Sequence, residues 1–203
     1  MEKPVGKIIY HGTREKLFHE FDLKKINSGE GASDVIGIFF TSSLYGACYH
    51  ADIYSRQPNP PTVYKCEIVD NAIAVDIDIA LNKQSERIQE FWSHLPKWVS
   101  SNTTNNDCYN CLRHKIWARR QRYSWLDEFL KKLNLPNNSA LSDEMLLSKK
   151  LRNLGVDVLI NYESGPWRDA YLQENSDLVL NPKAVVILEV LDAIQEIMKI
   201  VGI

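Results

Sequence analysis

No apolar run in this chain approaches membrane-spanning length, and its first residues, "MEKPVGKIIYHG", lack the apolar core of a signal peptide. The expectation is a cytoplasmic protein, or one delivered into a target cell's cytoplasm by a dedicated machine. Neither sign of charge dominates. Lys plus Arg is 24 and Asp plus Glu is 26, a formal net charge of −2. That balance excludes a global basic field, and with it nonspecific nucleic-acid binding as the default. Cysteine is scarce, with residues at 48, 66, 108 and 111 only. Without a secretory signal they read as reduced thiols rather than a disulfide scaffold. Internal repeats and low-complexity tracts are also missing.

What is present is a globular composition. With 203 residues, 44% hydrophobic and 25% charged, the chain suits one domain carrying an insertion. Short β-like runs recur: "GKIIYHG", "VIGIFFTSS", "TVYKCEIVDNAIAVDI", "VDVLINY" and "DLVLNPKAVVILEVL". The third predicts two strands around Asp70-Asn71, and the last predicts two separated by Asn181-Pro182, because proline cannot donate to a central ladder. "IGIFF" and "AVVILEV" are almost continuously apolar, the pattern of strands covered on both faces. Helical patterning marks "SSLYGACYHADIY" behind possible Ser42-Ser43 caps, "SERIQEFWSHL", "LRHKIWARRQRYSWLDEFLKKL", "SDEMLLSKKLRNLG" and the tail "DAIQEIMKIVGI". Composition shifts between about residues 81 and 145, which hold four of the five tryptophans and read as a helical insertion. The predicted fold is α+β, a mainly antiparallel β core with flanking helices.

Two stretches carry chemistry. In "YHGT", Gly12 leaves the main chain bare for a planar ligand, and His11 can donate or accept a hydrogen bond near neutral pH. In "GIFFTSSLYGACY", Phe39 and Phe40 end a strand, and the following helix brings Tyr49 back towards it. Together they describe a slot for a flat carboxamide attached to a sugar. Taken singly, each residue has a plainer reading: a satisfied strand-end histidine, a packed tyrosine, a core phenylalanine.

The pair "YHGT … GIFFTSS" with Tyr49 resembles the first two motifs of the ADP-ribosyltransferase superfamily. The branch is the histidine-tyrosine one, which includes diphtheria toxin and the poly(ADP-ribose) polymerases. "GVDVLINY … SDLVLNPKAVVI" is similar to the closing strands of bacterial and phage toxin-like members. The resemblance covers about residues 7 to 70 and 150 to 190. It implies a split, mainly antiparallel core of the ADP-ribosyltransferase type over residues 1–203, and NAD+ as substrate with no metal. His11 would bond the adenine-side ribose, and Gly12, with Thr13 beside it, would hold the nicotinamide carboxamide. Phe39 and Tyr49 would stack on the ring, supported by Thr41 and Ser42.

The family also implies a strand carboxylate that stabilises positive charge on the sugar as nicotinamide leaves. An ungapped alignment puts Ser176 in that place. Asp177 lies one residue later and Glu174 two earlier, on the Ser176 face by strand alternation. Both are candidates, with Asp177 first because it abuts the apolar strand. The implied activity is mono-ADP-ribosylation of a macromolecular acceptor, protein before nucleic acid, by a toxin-like or phage-defence-related effector. NAD+ hydrolysis, 2′-phosphotransfer on RNA, a degenerate NAD+- or ADP-ribose-binding module, and an interaction protein whose helical segment dominates and whose β core is scaffold are the alternatives.

Two further features lie outside those motifs. "RHKIWARRQRYSW", with Arg119 and Arg120, is either a solvated basic helix face or a surface that reads the acceptor. Trp167 and Arg168 in "NYESGPWRDAY" sit in either a surface hairpin loop or a target-recognition loop. Cys108 and Cys111 form a lone C-x2-C near His94 and His114. Zinc needs a closed four-ligand shell, so packing is the better reading.

Overall fold

Among the described residues seven strands are ordered in space so that the first of them in sequence is nearly central. They are β1 (Ile8–Thr13), β2 (Ile38–Thr41), β3 (Thr62–Ile68), β4 (Ala74–Asp76), β5 (Val158–Glu163), β6 (Ser176–Val179) and β7 (Val185–Asp192). Their order in the sheet is β4-β5-β6-β2-β1-β3-β7. Only β4 and β5 pair in parallel; the other neighbours are antiparallel. The fold is therefore α+β with a mixed, mostly antiparallel sheet. This computed structural model describes residues 6–25, 37–54, 58–76, 85–93, 148–149, 151–153, 155–163 and 175–202.

The helices follow from local chemistry. α1 (Leu44–Tyr49) starts where the Ser43 hydroxyl accepts the Gly46 N–H, and it runs on as a π-helical turn, His50–Tyr54. α2 (Glu86–Ser93) is the described part of the expected insertion, and residues 94–147 lie outside the described residues. α3 (Ala193–Val201) is capped by the Asp192 carboxylate on Gln195 N–H, and it ends at Gly202 in the left-handed region (φ 77°). Among the described residues no helix is long and apolar enough to cross a membrane.

Each face of the sheet has its own core. On one face Ile9, Phe40, Tyr64, Cys66, Val158 and Val179 are buried, and Phe18 and Phe21 from the chain after β1 close over them. On the other, Ala47, Cys48 and Ala51 of the α1 segment and Ala193 of α3 pack with Val63. One expectation fails here. The apolar run "AVVILEV" is not covered on both faces: Val186, Leu188 and Val190 are exposed, and among the described residues β7 is an edge strand. A one-dimensional run of apolar residues cannot tell a central strand from an edge whose second neighbour is missing.

Between β1 and β2 the sheet has a seam. β1 pairs with β3 over six residues, from Ile8↔Glu67 to Thr13↔Thr62, but with β2 only at Tyr10↔Thr41. The residues of "YHGT" run along this seam.

Candidate functional site

His11 bridges the seam with its side chain. Its Nδ1 lies 2.8 Å from the carbonyl oxygen of Phe39, a link from β1 to β2 beside their single paired position. The ring stands edge-on to Phe21 and tilted against Phe40, with both centroids 5.4 Å away. Behind them Phe18 stacks on Tyr64 at 4.1 Å, and the Tyr64 hydroxyl accepts the Phe18 N–H. Desolvation inside this aromatic enclosure pulls the His11 pKa down to about 4. The Phe39 carbonyl opposes that shift and nearby His50 adds to it. At neutral pH the ring is uncharged, so Nδ1 carries the proton it donates to Phe39 and Nε2 is left as an acceptor. A hydroxyl donor is the partner that such a nitrogen takes.

Gly12 answers to the opposite side of the strand. A Cβ built on it would lie 1.9 Å from the Ala47 carbonyl oxygen and 3.2 Å from Ala51 N. The glycine is thus required by the close crossing of α1 over β1, whatever else its backbone does. Three further bonds fasten that crossing: His50 Nδ1 lies 3.3 Å from Gly12 O, and Arg14 donates to Ala51 O and Asp52 O. Arg14 also pairs with the Asp52 carboxylate at 3.0 Å. The π-helical turn is held where α1 meets the end of β1, a distortion often found at functional sites.

The remaining predicted residues fall around these two. Thr13 Oγ1 accepts the Glu15 N–H and turns the chain out of β1. Thr41 is buried, its hydroxyl accepting Ser43 N–H, while Ser42 is exposed. Phe39 contacts Tyr162 at 5.8 Å between centroids, and Tyr49 lies 6.3 Å from Tyr45. Glu174, Trp167, Arg168, Arg119 and Arg120 lie outside the described residues.

Asp177 is enclosed, only 1% exposed. Its Oδ2 accepts from Lys7 Nζ at 2.6 Å and its Oδ1 from the Asn161 N–H at 2.9 Å. Burial raises its pKa, with help from Asp76 and against the pull of Lys7 and Asn161. β6 is central and buried at all four positions, so strand parity alone does not sort its residues into inside and outside. Parity does still hold in the pairing: Phe40 lies opposite Asp177, and Thr41 opposite Ser176.

Compared with family models, with characterised proteins and with solved structures, this chain matches none. The reading of the site rests on its own geometry. Four participants escape motif reading: His50, Phe21, Lys7 and Asn161. His50 follows Tyr49 directly and could have been suspected. Nothing local marks Phe21, Lys7 or Asn161, which meet Phe40 and Asp177 across 16 to 170 residues of chain.

Proposed function

We propose that this chain binds NAD+ along the seam between β1 and β2 and transfers ADP-ribose to a macromolecular acceptor, releasing nicotinamide. The finer architecture we propose with it is the split β core of the ADP-ribosyltransferase type. The observation that carries the reading is the neutral His11, anchored through Nδ1 to Phe39 O beside Gly12. It offers a fixed acceptor for a ribose hydroxyl, next to main chain in a place where two strands have nearly stopped pairing. Phe39 and Tyr49 supply aromatic surface for the nicotinamide ring. In the reaction the bond from ribose C1′ to the nicotinamide nitrogen breaks, and its electron pair leaves with the neutral base. A lone pair of the acceptor forms the new bond to C1′, and the acceptor's proton passes to water.

The enclosure of Asp177 favours a second reading, an NAD+-binding module without turnover, because both carboxylate oxygens are already engaged. One experiment separates the two: nicotinamide release from NAD+ by the purified protein, with and without cell extract, alongside the thermal shift produced by NAD+. Release stimulated by extract supports transfer, and equal release in both supports hydrolysis. A thermal shift without release supports the module. Neither release nor shift sinks the NAD+ reading altogether.

A further inference from the structure

Three rings from three neighbouring strands lie in a row on one face of the sheet. His11 of β1 is paired directly with Tyr64 of β3, and Phe40 of β2 flanks it on the other side, 5.4 Å away. Phe40 and Tyr64 are only 1% and 0% exposed. Over them, among the described residues, lie Phe18 and Phe21, which are themselves half-buried. One layer of side chain thus separates this aromatic floor from solvent. Phe21 meets every ring, edge-on each time: His11 at 5.4 Å, Phe40 at 5.1 Å, Tyr64 at 5.8 Å and Phe18 at 5.0 Å.

The cover is fastened far less than the floor. Between Thr13 and Leu23 the chain forms neither strand nor helix. From Lys16 to Asp22 its main chain reaches the sheet, among the described residues, through one hydrogen bond, Phe18 N–H to the Tyr64 hydroxyl at 3.0 Å. Both ends are fixed: Arg14 is held by Ala51 and Asp52, and Leu23 packs against the core. Leu17 between them is 71% exposed. A segment with fixed ends, few backbone bonds and half-buried side chains opens at a small local cost, well below that of unfolding the sheet.

We propose that residues 15–22 are a hinged lid, and that Phe21 holds, on the His11–Phe40–Tyr64 floor, the place that a flat base of the nucleotide ligand takes when the lid opens. The identity of that ligand rests on the NAD+ reading above; the lid rests on the rings and their fastening. Aromatic faces accept a planar heterocycle as readily as a phenyl ring. Phe21 is then a competitor carried within the chain, and the apparent affinity is the intrinsic one reduced by the fraction of molecules that stand open.

The test on the full-length protein is acylation of the His11 imidazole by diethyl pyrocarbonate, located by peptide mass spectrometry, with exposed His19 as internal reference. His11 should react about tenfold more slowly than His19 or slower still. Its rate should barely change with urea below the unfolding midpoint, because a local opening exposes little surface. Saturating NAD+ should slow it further. F21A should bring the His11 rate towards that of His19 and tighten NAD+ binding by about the same factor, since one open fraction sets both. A wild-type His11 that reacts as fast as His19 overturns the lid, because the floor would already be open. A rate that follows urea with the full slope of global unfolding overturns it too, since Phe21 would then be core; that profile decides even if F21A does not fold. Weaker NAD+ binding by F21A also overturns it, because Phe21 would be a ligand contact. Local opening in a protein on which NAD+ has no effect leaves the lid standing and sinks the NAD+ reading.

Discussion

An imidazole wrapped by Phe21 and Phe40 accepts a proton only at a cost, and that cost has a pH signature. The folded-state pKa of His11 lies at about 4, below the ordinary value of 6.5. The unfolded chain therefore takes up the proton first as pH falls. The stability associated with this group is complete above about pH 6.5 and drains away as pH drops towards 4, by about 3 kcal/mol at most. Replacing His11 with Asn keeps a nitrogen donor for Phe39 O and removes the titration. Urea midpoints measured between pH 4 and 7 should fall for the wild type and stay flatter for His11→Asn, and parallel profiles would refute the assignment. At Gly12 the effect is steric. Gly12→Ala drives a methyl group to 1.9 Å from a backbone carbonyl, so α1 must lift off β1. The expected loss is about 3 kcal/mol or more, read as a lower urea midpoint, with or without any ligand.

At the scale of elements, much was legible in the sequence. Every predicted strand run forms strand, and the turn at Asp70-Asn71 and the break at Asn181-Pro182 separate β3 from β4 and β6 from β7. Those are local signals, set by turn chemistry and by the missing donor of proline. Ser43 caps α1 as its position before the helix suggests, and Ser43→Ala should lower stability by about 1 kcal/mol in the same denaturation assay. What was not legible is pairing. The solitary β1–β2 contact, the bulge at Asn161 and the edge position of β7 depend on which distant strand lies alongside. The site divides in the same way. Local motif spacing is what singles out His11 and Gly12 as candidates, while the partners of Asp177 come from residues 7 and 161. The β7 edge carries its own prediction. Leu188→Lys should change stability by less than about 0.5 kcal/mol while raising the concentration at which light scattering appears, since Leu188 is 48% exposed.

For the molecule as a whole, the sheet joins its two ends. β2 finds its second neighbour in β6, beginning at Ser176, and β3 finds its own in β7, beginning at Val185. The Lys7–Asp177 ion pair closes across 170 residues. Sheets built from such remote partners close slowly, because long loops must be ordered before their contacts form. On a ribosome the consequence is a waiting time. After β3 ends at Ile68, Val185 is the 117th residue to be added, since 185 minus 68 is 117, which takes about 6 to 23 seconds at typical elongation rates. Throughout that interval the nascent β1–β2–β3 group offers two unpaired edges to whatever else is in the cell, and its fate depends on what shields them until the last strands arrive.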